Sequence, residues 1–479
     1  MKIKIAGYNV DTEHVARIQK EIGEEVVTPE VISASYARIS RDPRPIDQIR
    51  KDAREQVDKA RRSNEQIVFD MGHSSIAEHA VYNIDILGIS RLLIEEIERS
   101  RLVSYTEKSQ RYITLKDDFV LPQEIIDAGL ADKFKDIIQK QNALYQILYQ
   151  ELLPYVNEKY KGTIFDKKNV LEGLAKEDAR YIVSLATEAQ LGMTINSRNL
   201  ESMLVRMFAS QFQEGRDFAQ NLHDTVKNIT PSLIRYVQPT AYRKEARNEI
   251  KAHGESYFEN SDSSKDVALV SYTKEADAIV LASILYTTSN SSYSSCLSAV
   301  RKMNDQKKKV LLMSIFKHME QFDAVLREFE NVEYLYELEI SATCFAQLKR
   351  HRMATILTQP YNTQLGVVIP ESIIEVGKDK EFKALVDETN EIYDEFYTKV
   401  KIAAEYVLTN AHKRRVLIKL NARSLYHLSR LREDAHAQWD IREVTKKMVH
   451  HAKEVTPLIM LLCCGKSDFQ KNKNTLFEK

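Results

Sequence analysis

Residues 99–112 read Arg-Ser-Arg-Leu-Val-Ser-Tyr-Thr-Glu-Lys-Ser-Gln-Arg-Tyr, and the rest of the chain is organised around them. The stretch opens with two arginines, whose guanidinium groups match the oxygens of a phosphate. Glu107, Ser109 and Arg111 then stand two residues apart, so an extended segment would carry all three on one face. Composition alone favours a solvated loop after a basic helix end. The order of the residues instead predicts a site that binds a phosphate and its polar neighbours.

The composition restricts the class of protein. A chain of 479 residues is too long for one ordinary core and predicts two or three domains. Lys and Arg balance Asp and Glu at 69 each, so the charge favours neither a nucleic acid partner nor an anionic membrane. The four cysteines form neither a disulfide framework nor a metal-ligand spacing. The residues after Met1 lack the apolar core of a signal peptide, and no apolar run could span a bilayer. These features predict a cytoplasmic protein without a membrane segment.

One structural unit occurs twice along the chain. In the first copy, residues 82–86 alternate like a strand, Ser90 can cap a helix, and residues 99–101 close that helix. In the second copy, residues 334–340 alternate and Ser341 stands at the cap position. The remaining shared landmarks are Arg350-His351-Arg352 against Arg99-Ser100-Arg101, and Asn421-Ala422-Arg423 against Asn196-Ser197-Arg198. Landmarks repeated in the same order indicate an internal duplication.

The duplication predicts an α+β protein with two tandem domains. The first domain is predicted at residues 1–230, and residues 2–8 alternate like its opening strand. Residues 231–265 contain two prolines and a polar run, so they are predicted to be a linker. The second domain is predicted at residues 266–479 and opens with the strand Val267–Tyr272.

The long pattern in residues 99–112 resembles the signature of the flavin-dependent thymidylate synthases. That signature is Arg-His-Arg, two residues, Ser, and then Glu-x-Ser-x-Arg-Tyr. Ser100 replaces the central His, and Thr106 replaces the Asn that often precedes the Glu. The matching residues are Arg99, Arg101, Ser104, Glu107, Ser109, Arg111 and Tyr112. Both halves resemble the family, which implies two divergent copies of a domain with a mixed sheet and long helices.

In the first half, the resemblance implies both a cofactor site and a nucleotide site. Residues 72–79 match the family's Gly-His-x-Ser/Thr-x-x-Glu-His segment, which lies against the flavin. The residues with an implied role in flavin binding are His73, Ser75, Glu78, Arg99, Arg101, Asn196 and Arg198. The residues with an implied role in binding the nucleotide are Glu107, Ser109, Arg111 and Arg180. The residues placed in the catalytic group are Arg180, Arg206, Arg432 and Ser109, the arginines holding and polarising the base.

The second half keeps a different subset of the family residues. The residues that match flavin-binding positions are Arg350, His351, Arg352, Asn421 and Arg423. Thr358, Pro360 and Asn362 stand where Glu, Ser and Arg belong, and Glu405 replaces Arg180. The Gly-His segment is reduced to something like residues 318–323. This copy is therefore not expected to bind deoxyuridylate in the family's way.

The complementary losses imply a composite site, with one FAD for each chain and a homodimer that imitates the family tetramer. The alternative is that the second copy is a scaffold whose arginines survive as ion pairs.

The resemblance implies an FAD-dependent enzyme that methylates dUMP to dTMP. Methylenetetrahydrofolate would supply the carbon, NADPH would reduce the flavin, and no metal is expected. Two alternatives stay open, because Ser100 replaces the family His and the second copy is eroded. One is a flavoenzyme of the same fold that acts on another pyrimidine nucleotide or transfers a different group. The other is a catalytically silent protein that binds a nucleotide or a flavin.

Overall fold

The computed structural model describes residues 12–22, 28–38, 42–111, 118–254, 257 and 265–477. The strand predicted at residues 2–8 and the signature residue Tyr112 lie outside these ranges. No helix in the described ranges is both long and apolar enough to cross a membrane.

The first half of the chain is mostly helical. Its elements are α1 (Thr12–Ile22), α2 (Glu30–Arg38), α3 (Ile46–Glu55), α4 (Val57–Glu65), β1 (Val81–Ser90), α5 (Arg91–Ile97), β2 (Ser104–Glu107), α6 (Gln123–Asp127), α7 (Ala131–Lys159), α8 (Lys168–Ala179), β3 (Glu188–Asn196), α9 (Ser197–Phe208), α10 (Gln213–Val226) and α11 (Ala241–Gly254). A π-helical turn covers Gln66–Asp70, and short 3-10 helices cover Ser74–His79 and Arg180–Ile182.

The second half repeats the order of strand, short helix, strand, long helix and strand. Its elements are β4 (Val267–Tyr272), α12 (Ala276–Thr287), α13 (Tyr293–Arg301), α14 (Asp305–Phe316), β5 (Glu333–Ser341), α15 (Ala342–Leu348), β6 (Thr355–Tyr361), α16 (Glu371–Glu375), α17 (Asp379–Val400), β7 (Lys413–Asn421), α18 (Ala422–Arg432), α19 (Trp439–Val455) and α20 (Phe469–Phe477). Short 3-10 helices cover Arg327–Asn331, Thr363–Leu365, Lys401–Val407 and Lys466–Asp468.

Each copy builds an antiparallel sheet, and three strands of the second sheet, β5-β7-β6, follow the order of the first. The first sheet has the order β1-β3-β2, and the second has the order β4-β5-β7-β6. Val81 of β1 pairs with Asn196 of β3, and Glu333 of β5 pairs with Asn421 of β7. This shared register confirms the predicted α+β fold and its two tandem copies. The strand pairs found in the described residues are all antiparallel, so the sheets are not mixed as predicted.

Alternation of apolar side chains positions each sheet on its core. In β3, Leu191, Met193 and Ile195 are buried while the residues between them face outward. Val416 and Ile418 of β7 are buried in the same way. Because successive strand residues point to opposite faces, a slip of one residue would expose these side chains. Burial therefore fixes the register that aligns the two copies.

A serine caps the short helix after the first paired strand of each copy. The Ser90 hydroxyl accepts a hydrogen bond from the Leu93 N–H at 2.9 Å and donates one to Glu214 at 2.6 Å. Ser341 has the same role, because it accepts from the Cys344 N–H at 2.9 Å and donates to Asp440 at 2.5 Å. Both predicted caps are confirmed. Each cap links its helix to a carboxylate on a distant helix.

The chain forms two compact units that do not coincide with its halves. The first unit comprises described residues within 1–108, 119–128 and 188–259. The second comprises those within 109–118, 129–187 and 260–479, so α7 and α8 belong to the same unit as the whole second copy. The domain boundaries inferred from the duplication stay a prediction, since copies and compact units divide the chain differently.

Within the second unit, the two copies meet at equivalent positions. Ser184 and Thr409 stand twelve residues before Asn196 and Asn421, and they form an antiparallel bridge. The Leu185 N–H donates to the Leu408 carbonyl at 2.8 Å, and the Asn410 N–H donates to the Val183 carbonyl at 2.9 Å. Exchanging the two copies turns one of these hydrogen bonds into the other. The copies therefore meet at an interface with local two-fold symmetry.

Ser341→Ala should destabilise the second unit more than loss of an ordinary helix cap. The cap itself is worth about 1 kcal/mol. The buried Asp440 carboxylate would also lose a donor, which costs roughly 1 to 3 kcal/mol more. The matched control is Ser292→Ala, because Ser292 caps α13 at an exposed position. Urea unfolding followed by circular dichroism should show the larger loss for Ser341→Ala, and equal losses would contradict the role given to Asp440.

Candidate functional site

A basic cavity of about 370 Å³ lies at the carboxyl end of α5, within the first unit. The residues that line it are Arg99, Ser100, Arg101, Leu102, Asn199, Ser202, Arg206 and Arg243. Four guanidinium groups therefore surround one space, and Asn199 and Ser202 add neutral hydrogen-bonding groups. This donor set suits the oxygens of a phosphate or diphosphate.

Arg206 connects α9 to the end of α5. Its guanidinium donates to the carbonyl oxygens of Glu96 and Ile97, and at 3.0 Å to the Ser100 hydroxyl. The last carbonyls of a helix have no partner inside that helix, so an arginine at this place satisfies them. Burial and the neighbouring Arg99 lower the pKa of Arg206. Arg206 thus lies with Arg99 in the first unit, whereas Arg180, its predicted catalytic partner, lies in the second.

The second copy repeats this connection with Arg432. The Arg432 guanidinium donates to the Gln347 carbonyl at 3.2 Å and to Nε2 of His351 at 3.0 Å. Burial lowers the pKa of Arg432 to about 10 and that of His351 to about 3, so the imidazole is neutral. Nε2 is then an acceptor, and only Nδ1–H is left to donate. His351 therefore offers no positive charge between Arg350 and Arg352.

The Asn-x-Arg elements have matching structural roles in the two copies. The side-chain oxygen of Asn196 caps α9 by accepting from the Asn199 N–H at 2.9 Å, and Asn421 caps α18 in the same way. Arg198 forms an ion pair with Glu78, and Arg423 forms one with Glu330 at 2.7 Å. The four residues predicted to bind flavin are thus also the groups that hold each helix start in place.

The register corrects the position of the second Gly-His segment. Glu78 stands three residues before Val81, and Glu330 stands three residues before Glu333. The counterpart of residues 72–79 is therefore 324–331, and the predicted placement at residues 318–323 is wrong. Val325 and Arg327 occupy the places of His73 and Ser75, which are themselves exposed in the first copy. In each copy this glutamate, Glu78 or Glu330, forms an ion pair with the arginine of the Asn-x-Arg element.

The segment Glu107–Arg111 is not one extended strand, so the arrangement of Glu107, Ser109 and Arg111 on one face of an extended segment does not apply. Strand β2 ends at Glu107, and the Arg111 N–H donates to the Ser109 hydroxyl at 3.2 Å. A serine that accepts from the backbone two residues later bends the chain and competes with strand pairing. Glu107 consequently belongs to the first unit, and Ser109 and Arg111 belong to the second.

Arg111 is held by groups that the sequence did not indicate. It forms an ion pair with Glu177 of α8, and its guanidinium donates to the His436 carbonyl at 3.3 Å. The Glu177 side chain is 4% exposed, and burial raises its pKa to about 7, although Arg111 acts to lower it. Glu177 stands one helical turn before Arg180. That spacing was the one signal in the sequence that could have drawn attention to it.

A residue of the second copy also fixes the loop around Arg111. The side-chain N–H groups of Asn410 donate to the Gln110 side chain at 3.1 Å and to the Arg180 carbonyl at 3.0 Å. Arg180 is buried, and its Nε–H donates to the Glu177 carbonyl at 3.3 Å. Residues from both copies therefore meet around Arg111 and Arg180 within the second unit.

The equivalent place in the second copy is filled by the chain's own side chains. Thr358 pairs with Val416 as Glu107 pairs with Leu191, so the register confirms that Thr358 stands at the glutamate position. Buried Glu405 accepts from the Tyr361 N–H at 3.2 Å. The Arg414 guanidinium lies 4.3 Å from the centre of the Tyr361 ring and donates to the Gln359 carbonyl at 2.8 Å. These contacts pair polar groups of the second copy with one another at the place that corresponds to Arg111 and Arg180.

Among the residues that the structure describes, no group of three or more His, Cys, Asp and Glu side chains could hold a metal ion.

Comparison with known proteins gives a match to each copy. The family described as "Thymidylate synthase complementing protein" matches residues 24–232 and 268–458. The chain is 23% identical to a UPF0159 protein of Chlamydia muridarum, over 83% of this chain and 79% of that protein. It is 28% identical to a flavin-dependent thymidylate synthase of Clostridium tetani, over 47% of this chain and 88% of that enzyme.

Among solved structures, the chain is similar to a UMP/dUMP methylase, PolB, from Streptomyces cacaoi bound with 5-Br dUMP. The identity is 15% and the TM-score is 0.33, over 40% of this chain and 92% of that one.

Glu177→Gln should remove a pH dependence of stability. The pKa of Glu177 is raised in the folded chain from 4.5 to about 7, so the folded state keeps a proton that the unfolded state releases between these values. This contribution to stability is complete below about pH 4.5 and is lost as the pH rises to about 7. The difference between variant and wild type should therefore shift in favour of the variant over this window, by at most about 3 kcal/mol.

The measurement is urea unfolding from pH 5 to pH 8. The matched control is Glu158→Gln, which changes a fully solvated carboxylate in the same unit. Parallel pH profiles for wild type and Glu177→Gln would show that Glu177 is ionised throughout this range, against the argument from burial.

Proposed function

The chain belongs to the family of thymidylate synthase complementing proteins, and we propose that it is an FAD-dependent enzyme that methylates dUMP to dTMP. The observation that carries the proposal is the cavity bounded by Arg99, Arg101 and Arg206. Relatives named flavin-dependent thymidylate synthase support the choice of cofactor. When bound and reduced by NADPH, the flavin would supply a hydride to the pyrimidine, with methylenetetrahydrofolate as the carbon source.

The cavity fits the diphosphate of FAD by its chemistry. A diphosphate carries two negative charges on closely spaced oxygens, and guanidinium groups pair with such oxygens through charge-assisted hydrogen bonds. Arg99 and Arg101 would bind the diphosphate, while Asn199 and Ser202 offer neutral hydrogen bonds beside them. Arg206 would act through position, because its hydrogen bonds to the end of α5 hold the triplet at the cavity.

The other implied flavin residues stay proposals. Those in the first copy are His73, Ser75, Glu78, Asn196 and Arg198, and those in the second are Arg350, His351, Arg352, Asn421 and Arg423. Asn196 and Arg198 would have to bind the cofactor with atoms that the cap and the ion pair leave available. A homodimer and a cytoplasmic location belong to the same proposal.

The nucleotide would bind through the first copy. Arg111 and Ser109 would hold its phosphate, and Arg180 would polarise the base. A role for Glu107 stays a proposal from the family resemblance. Arg111 already faces the buried carboxyl of Glu177. An added phosphate would raise the pKa of Glu177 further, since a second negative charge nearby disfavours its ionised form. Glu177 would then take up a proton as the nucleotide binds, and Arg111 would turn its charge to the phosphate.

The second copy would support that site without binding a nucleotide of its own. Asn410 and the His436 carbonyl steady the loop that carries Arg111. Glu405 at the place of Arg180 would repel a phosphate, and Tyr361 with Arg414 fills the equivalent space. This division of roles favours one nucleotide site for each chain.

Arg111→Ala should weaken dUMP binding by about 10- to 100-fold, which corresponds to the loss of one hydrogen bond to a charged group. Isothermal titration with dUMP measures this change, and the flavin absorbance should stay at the wild-type level. Thymidylate formation from dUMP, methylenetetrahydrofolate and NADPH, measured by liquid chromatography, should fall with it at limiting dUMP.

The matched control is Asn362→Ala, which changes the equivalent position of the second copy and should leave dUMP affinity unchanged. Equal losses in the two variants would show that the second copy also binds the nucleotide. A wild-type protein that binds dUMP and FAD but forms no thymidylate would exclude the proposed reaction.

A further inference from the structure

The fourth arginine of the basic cavity comes from the segment between the two copies. Arg243 lies in the first turn of α11, and α11 falls outside both stretches that match the family. Composition predicted a linker here, yet Leu233, Ile234 and Val237 are buried in the core of the first unit. The segment just before α11 is therefore held by the core, and α11 carries Arg243 to the edge of the cavity.

Arg243 adds charge to a place where cations already repel each other. Arg99 and Arg243 both contribute to lowering the pKa of the half-buried Arg206. Glu96 is the carboxylate that opposes this effect, and its Oε2 also accepts from the Ser210 hydroxyl at 2.6 Å. Within the described ranges, the Arg243 guanidinium makes no hydrogen bond or ion pair with a protein group. Arg243 therefore brings a guanidinium without a protein partner among the described residues to a cavity that three other arginines also line, and this arrangement indicates an anionic ligand.

We propose that Arg243 binds the diphosphate of a dinucleotide. The segment from Pro231 to Gly254, called the arm below, would then be part of the cofactor site. The inference rests on the proposed function, because it assigns a further ligand to the same cavity. A diphosphate is the favoured class, since the guanidinium groups of Arg99, Arg101 and Arg243 together provide more donors than one phosphate monoester requires. The arm would distinguish this tandem chain from a single copy of the family domain, which ends before α11.

The test compares two single-charge deletions on α11. Arg243→Ala removes the cavity arginine, and Lys251→Ala removes an exposed cation from the same helix. Isothermal titration is run with FAD and with ADP, a diphosphate without the flavin. Arg243→Ala should weaken both ligands about tenfold or more and reduce the dependence of binding on salt. Lys251→Ala should stay within about twofold of wild type, and Arg243→Lys should recover part of the loss because it restores the charge.

Arg101→Ala separates the failure of this inference from the failure of the proposed function. If Arg101→Ala loses FAD affinity and Arg243→Ala does not, the arm has no role and the cofactor site stands. If neither change affects FAD, the cavity is not the cofactor site and both proposals fail. If Arg243→Ala weakens dUMP but neither FAD nor ADP, the cavity takes a phosphate monoester and the diphosphate assignment is overturned. Matching thermal melts of the variants would show that each result reports binding and not unfolding.

Discussion

In each copy, one arginine binds the exposed carbonyl end of the short helix that precedes the Arg-x-Arg triplet. Arg206 does this for α5, and Arg432 does it for α15. The contact satisfies acceptors that the helix cannot satisfy itself, and it puts a cation at the negative end of the helix dipole. The same arginine also donates a hydrogen bond to the central residue of the triplet, which is Ser100 in the first copy and His351 in the second. The rest of each candidate site is built outward from this connection.

Around that shared frame, the two copies have diverged in charge. The first copy keeps Arg111 and Arg180 together with the buried acid Glu177. The second replaces Arg180 with Glu405 and fills the space with Tyr361 and Arg414. A buried charge needs a partner, and in the second copy the partners come from the chain itself. The Asn410 side chain and the His436 carbonyl of the second copy also hold the loop that carries Arg111 in the first copy.

Local patterns predicted the parts of the fold that depend on local physics. Alternation of apolar and polar residues predicted β1 and β5. Ser90 and Ser341 were predicted as caps because serine is a common N-cap residue. The bend at Ser109 was missed because a side-chain hydrogen bond competes there with extension of the strand. The displaced Gly-His counterpart was missed because one glutamate alone, Glu330, survives as its marker.

The rest of the candidate site depends on contacts between distant parts of the chain. Asn410 and His436 stand about 300 residues after the loop that they hold, and no local pattern connects them with it. Arg243 lies in a segment whose composition predicted only a linker. The roles of such residues can be identified only after the elements have packed together. One example is the packing of α7 and α8 from the first half into one compact unit with the second copy.

We propose that the two copies together provide one nucleotide site in each chain. Equilibrium dialysis of the purified protein against labelled dUMP, with saturating FAD, counts the sites directly. About one dUMP should be bound for each chain at saturation. A value near two would contradict it, because the second copy would then bind the nucleotide despite Glu405 and the filled space around Tyr361.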